Sequence, residues 1–274
     1  RVVMKRMIIQ LLFGLCVLAV GAAHADNAVH YYFRTMDIRN GLSQNTVYQI
    51  LQDKRGFMWF GTKDGLNRYD GLSFRVYKKE TSGLGKNFIT ALYEDRQGNI
   101  WIGTDGGVFI YDPVLDSFAA FKEVSDKRSV IGGFVTMIGS DDHDNIWISV
   151  ENQGLFCYRQ HEKKLLNHLY DSGLANVTRF WLNGNTCWVA LYADNLYYTK
   201  DNFNTPMQPF RDADGNEIFK NDIINWQVNG SHNCIYVASL NGLTEINLTT
   251  GKARRLLNTY VRALQFRSDN ELWV

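Results

Sequence analysis

Two stretches of this chain are nearly the same sentence written twice. Residues 41–78 read GLSQNTVYQILQDKRGFMWFGTKDGLNRYDGLSFRVYK, and residues 83–122 read GLGKNFITALYEDRQGNIWIGTDGGVFIYDPVLDSFAAFK. Both open GL-x-x-N, turn at D-x-x-G, pass through W-[FI]-G-T-x-[DG]-G and close near YD. Four later stretches keep the phase: DDHDNIWISVENQGLFCY around Trp147, NGNTCWVALYADNLYY around Trp188, SHNCIYVASLNGLTEI with Tyr236 in the tryptophan position, and SDNELWV ending at Trp273 and Val274. The anchor aromatics are spaced 42, 46, 41, 48 and 37 residues apart. A unit of this length cannot bury its own apolar face alone and must stack on copies of itself. This period suits four-stranded propeller blades, so the chain is read as all-β, a β-propeller.

The first unit resolves into four strands. Residues 46–52 alternate apolar and polar, as an inner strand A should. Asp53-Lys54-Arg55-Gly56 is a tight turn whose Gly can take positive φ. Residues 57–61 are short and almost wholly apolar, which suits a strand B covered on both faces by neighbouring blades. Lys63-Asp64-Gly65 is the B–C loop, and residues 66–69 are strand C. Asp70-Gly71 reads as a two-residue hairpin. Residues 74–77 form the outer strand D, followed by Lys78-Lys79, charges that suit an open edge. Two positions after each anchor stand Gly61, Gly103, Ser149, Ala190 and Ala238, all small. Blades converge toward the axis, and a larger side chain there would strike the next blade.

Blade repeats are placed at 41–78, 83–122, 130–170, 174–210, 221–257 and 260–274, about five and a half against a usual four to eight, with the sixth ending inside its strand B, so the propeller is read as truncated. Residues 31–36 precede GLSQN as Phe74-Arg75-Val76-Tyr77 precedes GLGKN, so they are read as a lone outer strand that closes the last blade.

Residues 1–25 read as an export signal, and 26–274 as the incomplete propeller. Lys5 and Arg6 precede a 14-residue apolar run from Met7 to Val20, shorter than a membrane span of about 20 residues. Ala23-His24-Ala25 is an A-x-A cleavage site. An uncleaved signal anchor is the alternative. Without the leader the chain carries 26 basic and 28 acidic residues, a net charge of −2, which gives no attraction to nucleic acid or to an anionic membrane surface. Cys157, Cys187 and Cys234 lie in apolar strand-like segments without C-x-x-C spacing, so buried free thiols are expected. The six His form no metal-binding grouping, and no cofactor is expected. The run from Asp212 to Glu217 resembles the start of a calcium loop but lacks the distal Glu and the helices, and is read as a polar loop between blades.

The first two repeats closely resemble the two-component regulator propeller repeat, through the D-x-x-G turn, W-x-G-T and the L-x-x-YDG tail in one phase. The resemblance extends over residues 31–274, more weakly beyond the second unit. It implies the periplasmic sensor part of a hybrid two-component system. In that family two seven-bladed propellers and a small β-sandwich precede a transmembrane helix, a histidine kinase, a receiver and a DNA-binding helix-turn-helix. It also implies an oligosaccharide ligand, control of glycan-utilisation genes, a homodimer formed through the full ectodomain, and membrane attachment through a downstream helix. No residue of this chain is expected to be catalytic or to touch nucleic acid. A secreted propeller lyase or glycosidase, and a non-signalling binding propeller, are the alternatives. A propeller enzyme needs a base, paired carboxylates or a metal converging on the channel. The acidic residues here sit mainly at turns that the repeat demands. Candidate ligand-binding residues are those of the B–C loops: Lys63, Asp64, Asp105, Glu151, Asn152, Tyr192, Asp194 and Asn241. Their amide, carboxylate and aromatic groups suit sugar hydroxyls and a pyranose face. Asn45 and Asn87 recur at one repeat position and are expected to cap backbone. Trp181 and Trp226, on A strands, are expected in the core.

Overall fold

The computed structural model describes residues 32–123, 125, 129–192, 194–219 and 223–274. Residues 1–25, expected to be an export signal, lie outside them, as does Tyr31. Contacts divide the chain into residues 1–36 and residues 37–274. In the first unit, residues 32–36 form no strand. Residues 31–36 are expected to pair only with strand C of a last blade, and each four-stranded sheet of the second unit carries its own outer strand.

The second unit is a series of antiparallel meanders. Blade 1 holds β1 (Val47–Gln52), β2 (Met58–Thr62), β3 (Gly65–Tyr69) and β4 (Phe74–Tyr77). Blade 2 holds β5 (Ile89–Glu94), β6 (Ile100–Thr104), β7 (Gly107–Asp112) and β8 (Ser117–Ala120). Blade 3 holds β9 (Val135–Ser140), β10 (Ile146–Val150), β11 (Gly154–Arg159) and β12 (Lys164–Asn167). Blade 4 holds β13 (Val177–Asn183), β14 (Thr186–Leu191), β15 (Leu196–Thr199) and the short β16 (Gln208–Pro209). Blade 5 holds β17 (Ile223–Asn229), β18 (Cys234–Ser239), β19 (Gly242–Asn247) and β20 (Ala253–Leu257). A two-stranded ladder, β21 (Gln265–Ser268) with β22 (Glu271–Trp273), follows. Every blade runs A-B-C-D, with β1, β5, β9 and β13 adjacent to one another as the inner strands.

The core lies between blades. Trp59, Leu66 and Tyr77 of blade 1 pack with Ile89, Ile100, Ile102 and Tyr111 of blade 2. Similar clusters join blades 2 and 3, 3 and 4, and 4 and 5. The B strands β6 and β10 are buried at every residue, as a strand covered on both faces must be. Trp226 is buried and Trp181 half-buried against the same cluster between blades 4 and 5. The three described cysteines are free and buried. Burial pushes the Cys157 thiol up to about 12, so it stays a neutral packing group at ordinary pH.

Small residues after the anchors follow from close approach. A Cβ on Gly61 would stand 2.7 Å from Ile89 Cγ2 of the next blade. On Gly103 it would stand 2.6 Å from Val135 Cγ1 and 2.8 Å from Ala91 Cβ. In blade 3 the position is Ser149, whose hydroxyl meets Thr136 Oγ1 at 2.7 Å.

The D-x-x-G turn has a second task that the turn chemistry alone does not suggest. Asp53 Oδ2 accepts from the indole Nε1 of Trp59 at 2.9 Å while Oδ1 accepts from the backbone N–H of Arg55 and Phe57. Asp95 accepts from Trp101 Nε1 at 3.0 Å, and Asp141 from Trp147 Nε1 at 2.9 Å. One carboxylate thus shapes the A–B turn and satisfies the buried indole N–H, which would otherwise be an orphaned donor. In blade 4 the turn is Gly184-Asn185 and no Asp is present.

Two local expectations are corrected. The β3–β4 connection is four residues, 70–73, and not two. Asp70 Oδ1 accepts from the N–H of both Leu72 and Ser73, which holds the longer loop shut. Lys78 is not an edge charge: its Nζ pairs with Asp64 at 2.6 Å, and the chain then enters a helical turn, Lys79–Ser82.

Candidate functional site

The inner strands share one irregularity. Pairing with strand B skips a residue between Val47 and Gln49, between Ile89 and Ala91, between Val177 and Arg179, and between Ile223 and Asn225. In blade 3, Ser149 pairs with Met137 and Val150 with Val135, passing over Thr136. Tyr48, Thr90, Thr136, Thr178 and Ile224 are therefore β-bulge residues at one repeat position. A bulge adds an unpaired residue and re-aims its side chain. Thr136 Oγ1 reaches the carbonyl of Val177 in the next blade at 2.7 Å, and Thr178 Oγ1 bonds Ala190 O in its own blade. Thr90 is buried, and its hydroxyl has no partner, because Gly103 stands where blade 3 has Ser149. At the same position Tyr48 is 41% exposed.

The B–C hairpins and the approaches to the next inner strand interlock along one face. Gly65 N–H donates to Asn87 O at 2.8 Å, Gly107 N–H to Gly133 O at 3.2 Å, and Gly154 N–H to Ala175 O at 3.0 Å. Gly65 and Gly107 have φ near +119° and +118°, a region L side chains rarely adopt, and a Cβ on Gly65 would lie 2.7 Å from Tyr77 O. Asn45 and Asn87 do cap backbone: Asn45 Oδ1 accepts from Ile38 N–H at 2.9 Å, and Asn87 Oδ1 from Lys79 N–H at 2.8 Å.

The eight residues expected to bind ligand all lie on the B–C hairpins, but most serve the hairpins themselves. Asp64 is held by Lys78. Glu151 N–H donates to Phe134 O at 2.8 Å, and Tyr192 N–H to Asn176 O at 2.9 Å. Asn152 takes φ +59° and donates its N–H to Asn176 Oδ1. Asp194 accepts from Asn195 N–H and from the Tyr197 hydroxyl. Asn241 N–H bonds Ser239 Oγ at 3.2 Å. Asp105 is exposed beside Gly106. Tyr192 presents its ring with 74% exposure. Lys63 reaches elsewhere: its ammonium lies 5.3 Å above the ring of Phe88 and 5.8 Å above that of Tyr48.

That lysine marks the part of the face that loop reasoning missed. Tyr48 and Phe88 meet edge-on with ring centroids 5.0 Å apart, and Phe88 meets Phe134 at 5.5 Å. The three rings come from three successive blades. Phe88 and Phe134 each stand one residue before an inner strand, where blade 1 has Thr46 and blade 4 has Asn176. The repeat thus folds without aromatic groups at these places, and that departure from its own pattern is the signal in the sequence that could have found them. The arrangement offers ring faces and edges, an ammonium and hairpin carboxylates. Among the described residues it holds no hydrogen-bonded nucleophile and base.

A separate cleft of about 420 Å³ opens between blades 3 and 4, lined among others by His168, Tyr170, Phe203 and Asn204. His168, Trp147 and Phe203 form a three-ring cluster, with His168 centroid distances of 5.0 Å to Trp147 and 4.5 Å to Phe203 and 5.6 Å between Trp147 and Phe203. Burial, with a smaller contribution from Arg159, lowers its pKa to about 4, so the imidazole is neutral at pH 7. Asp212 accepts from the N–H of Asp214 and Asn216, the bonding of a polar loop, and among the described residues no acidic or thiol cluster suits a metal.

Residues 41–64 and 83–106 match the sequence profile of the two-component regulator propeller. Among solved structures, the chain is similar to the extracellular domain of a putative hybrid two-component system of B. thetaiotaomicron, with TM-score 0.77 and 24% identity over 89% of this chain and 34% of that one. A second such extracellular domain from B. thetaiotaomicron superposes with TM-score 0.67 and 24% identity, over 86% of this chain and 33% of that one. Both are propeller ectodomains. The chain spans about a third of the length of these ectodomains. Histidine kinase P4 of Formosa agariphila is 37% identical over 68 residues, which is 25% of this chain and 5% of that protein.

Proposed function

We propose that this propeller, whose first two repeats are of the two-component regulator type, is a recognition module of a membrane-anchored hybrid two-component sensor. It lies outside the inner membrane after export through residues 1–25, and it binds an oligosaccharide without turning it over. Its occupancy is passed to kinase and DNA-binding parts of the larger protein, which control glycan-utilisation genes, and the complete ectodomain acts as a homodimer.

The observation that carries this reading is the pairing of family-type repeats with a ring platform on the B–C face, exposed at Tyr48 and half-buried at Phe88 and Phe134. Tyr48, Phe88 and Phe134 offer stacking surface, and exposed polar groups on the neighbouring hairpins suit hydroxyl-rich ligands. Calorimetry of the full chain against a panel of neutral and acidic oligosaccharides, with product analysis of each mixture, tests it. Saturable binding with intact ligand is expected. Release of shortened or unsaturated products would overturn the reading.

A further inference from the structure

The ligand's charge class can be argued from the same face. This inference rests on the recognition function just proposed. We infer that the Tyr48–Phe88–Phe134 platform selects an acidic oligosaccharide, one bearing a carboxylate or a sulfate, with Lys63 as the group that reads the acid.

Three observations converge. First, the aromatic rings are not required by the fold. At the bulge position the other blades carry Thr90, Thr136, Thr178 and Ile224, and before the inner strand blades 1 and 4 carry Thr46 and Asn176. Rings gathered from three blades at positions where the repeat tolerates small polar residues answer to something other than blade packing. Second, Lys63 holds its ammonium over two of those rings and, among the described residues, forms no ion pair with a carboxylate. Lys78, at the end of the same blade's β4, is instead paired with Asp64 at 2.6 Å. The pairing of Lys78 neutralises the nearest hairpin carboxylate and leaves the charge of Lys63 uncompensated. Third, a further ammonium lies at a B–C hairpin of the same face. Lys86, just before Phe88, lies across the β6–β7 hairpin, its Nζ 3.0 Å from where a Cβ of Gly106 would stand. It too has no ion-pair partner among the described residues.

A pyranose ring packed on Tyr48 or Phe88 would bring its substituents to the Lys63 ammonium that lies over those rings. A hydroxyl there gains an ordinary hydrogen bond, and a carboxylate or sulfate gains a charge-assisted one of roughly twice the strength. The face is not uniformly basic. Glu151 is tied through its N–H to Phe134 O at 2.8 Å and lies at the other end, with Asp105 on the intervening hairpin. An acidic unit is therefore accepted at the Tyr48 end and disfavoured at the Phe134 end. That asymmetry gives the bound oligosaccharide a direction and explains why the platform can select charge while the exported chain is close to neutral overall.

The test uses the full chain and three sets of oligosaccharides matched in length: oligogalacturonates, sulfated galacto-oligosaccharides and neutral galacto-oligosaccharides. At low salt one of the acidic sets is expected to bind about ten-fold or more tightly than the neutral set, and to lose that advantage as ionic strength rises. Lys63→Met, which keeps an apolar stem over the rings, is expected to bring acidic and neutral ligands to parity. Lys63→Arg is expected to retain the preference. The two acidic sets distinguish carboxylate from sulfate. Equal binding of acidic and neutral ligands, or an acidic preference untouched by Lys63→Met, overturns this inference and leaves glycan recognition standing. Failure to bind any of the three sets, or cleavage of one, overturns the recognition reading as well.

Discussion

Replacing Gly103 by Ala adds one methyl group at the tightest point between two blades. A Cβ there would meet Val135 Cγ1 at 2.6 Å, Ala91 Cβ at 2.8 Å and Val135 Cβ at 2.9 Å. Two of the three atoms are Cβ atoms fixed to strand backbone, so rotamer change cannot relieve them. Val135 is fully buried. Overpacking a tight core costs about 1–3 kcal/mol, and the absence of a flexible neighbour puts this case at the upper end. Gly→Ala in a strand returns about 0.5–1 kcal/mol of backbone entropy, leaving a net loss of about 2 kcal/mol. For a unit of this size that lowers the melting temperature by roughly 4–8 °C. Thermal and urea unfolding followed by tryptophan fluorescence would read it, since Trp101 lies on the same strand. Val135→Ala alone leaves a cavity and should also destabilise. The double variant supplies the decisive number, because Val135→Ala removes the Cγ1 that the new methyl would strike. Its loss should fall short of the sum of the two single losses by about 1 kcal/mol or more. If Gly103→Ala is neutral, or if the two losses simply add, close approach of blade 2 to blade 3 is not why the residue is small.

The bulge threonines should respond oppositely to the same change. Thr90→Val removes a buried hydroxyl with no partner and should be neutral or stabilising, whereas Thr136→Val breaks the bonds to Ser149 and to the next blade and should cost about 1–2 kcal/mol by urea unfolding. Asp141→Ala leaves the indole N–H of Trp147 and the N–H of Asn145 without their acceptor and should cost about 2 kcal/mol, with a red-shifted tryptophan emission. Burial raises the Asp141 pKa, but the bonds from Trp147, Asn145 and His143 outweigh it and leave it below the ordinary value; its stabilisation is present above about pH 4 and is lost as the pH falls through that lowered pKa. His168 acts through the opposite protonation state. Its folded pKa is about 4 and its unfolded value about 6.5, so between these the unfolded chain holds a proton that the folded chain does not. Stability should fall by up to about 3 kcal/mol as the pH drops from 6.5 to 4, and His168→Phe, which keeps a ring against both Trp147 and Phe203, should flatten that part of the profile. An unchanged slope in the Phe variant would refute the assignment.

The amino-acid sequence by itself determined the blade. Spacing of Trp59, Trp101, Trp147, Trp188 and Tyr236 set the period, alternation and turns set the four strands, and the small residues after each anchor marked where blades converge. These are local or periodic facts, because propeller strands pair with their sequence neighbours and a repeat places equivalent residues in equivalent surroundings. The Asp53–Trp59 bond was also within reach, since Asp precedes Trp by six residues in three successive blades, but it was read only as a turn. What the tertiary structure alone decided is which residues of different blades touch. Tyr48, Phe88 and Phe134 are far apart in the chain and belong to two different repeat positions. A bulge in each inner strand breaks the two-residue alternation from which a side chain's direction would be read, so Tyr48 could not be aimed from the sequence. The same limit applies to the B–C loop residues, which periodicity places on the hairpins without fixing what each side chain touches. Whether Asp64 serves a ligand or Lys78 depends on where a lysine fourteen residues away points, and periodicity carries no information about that.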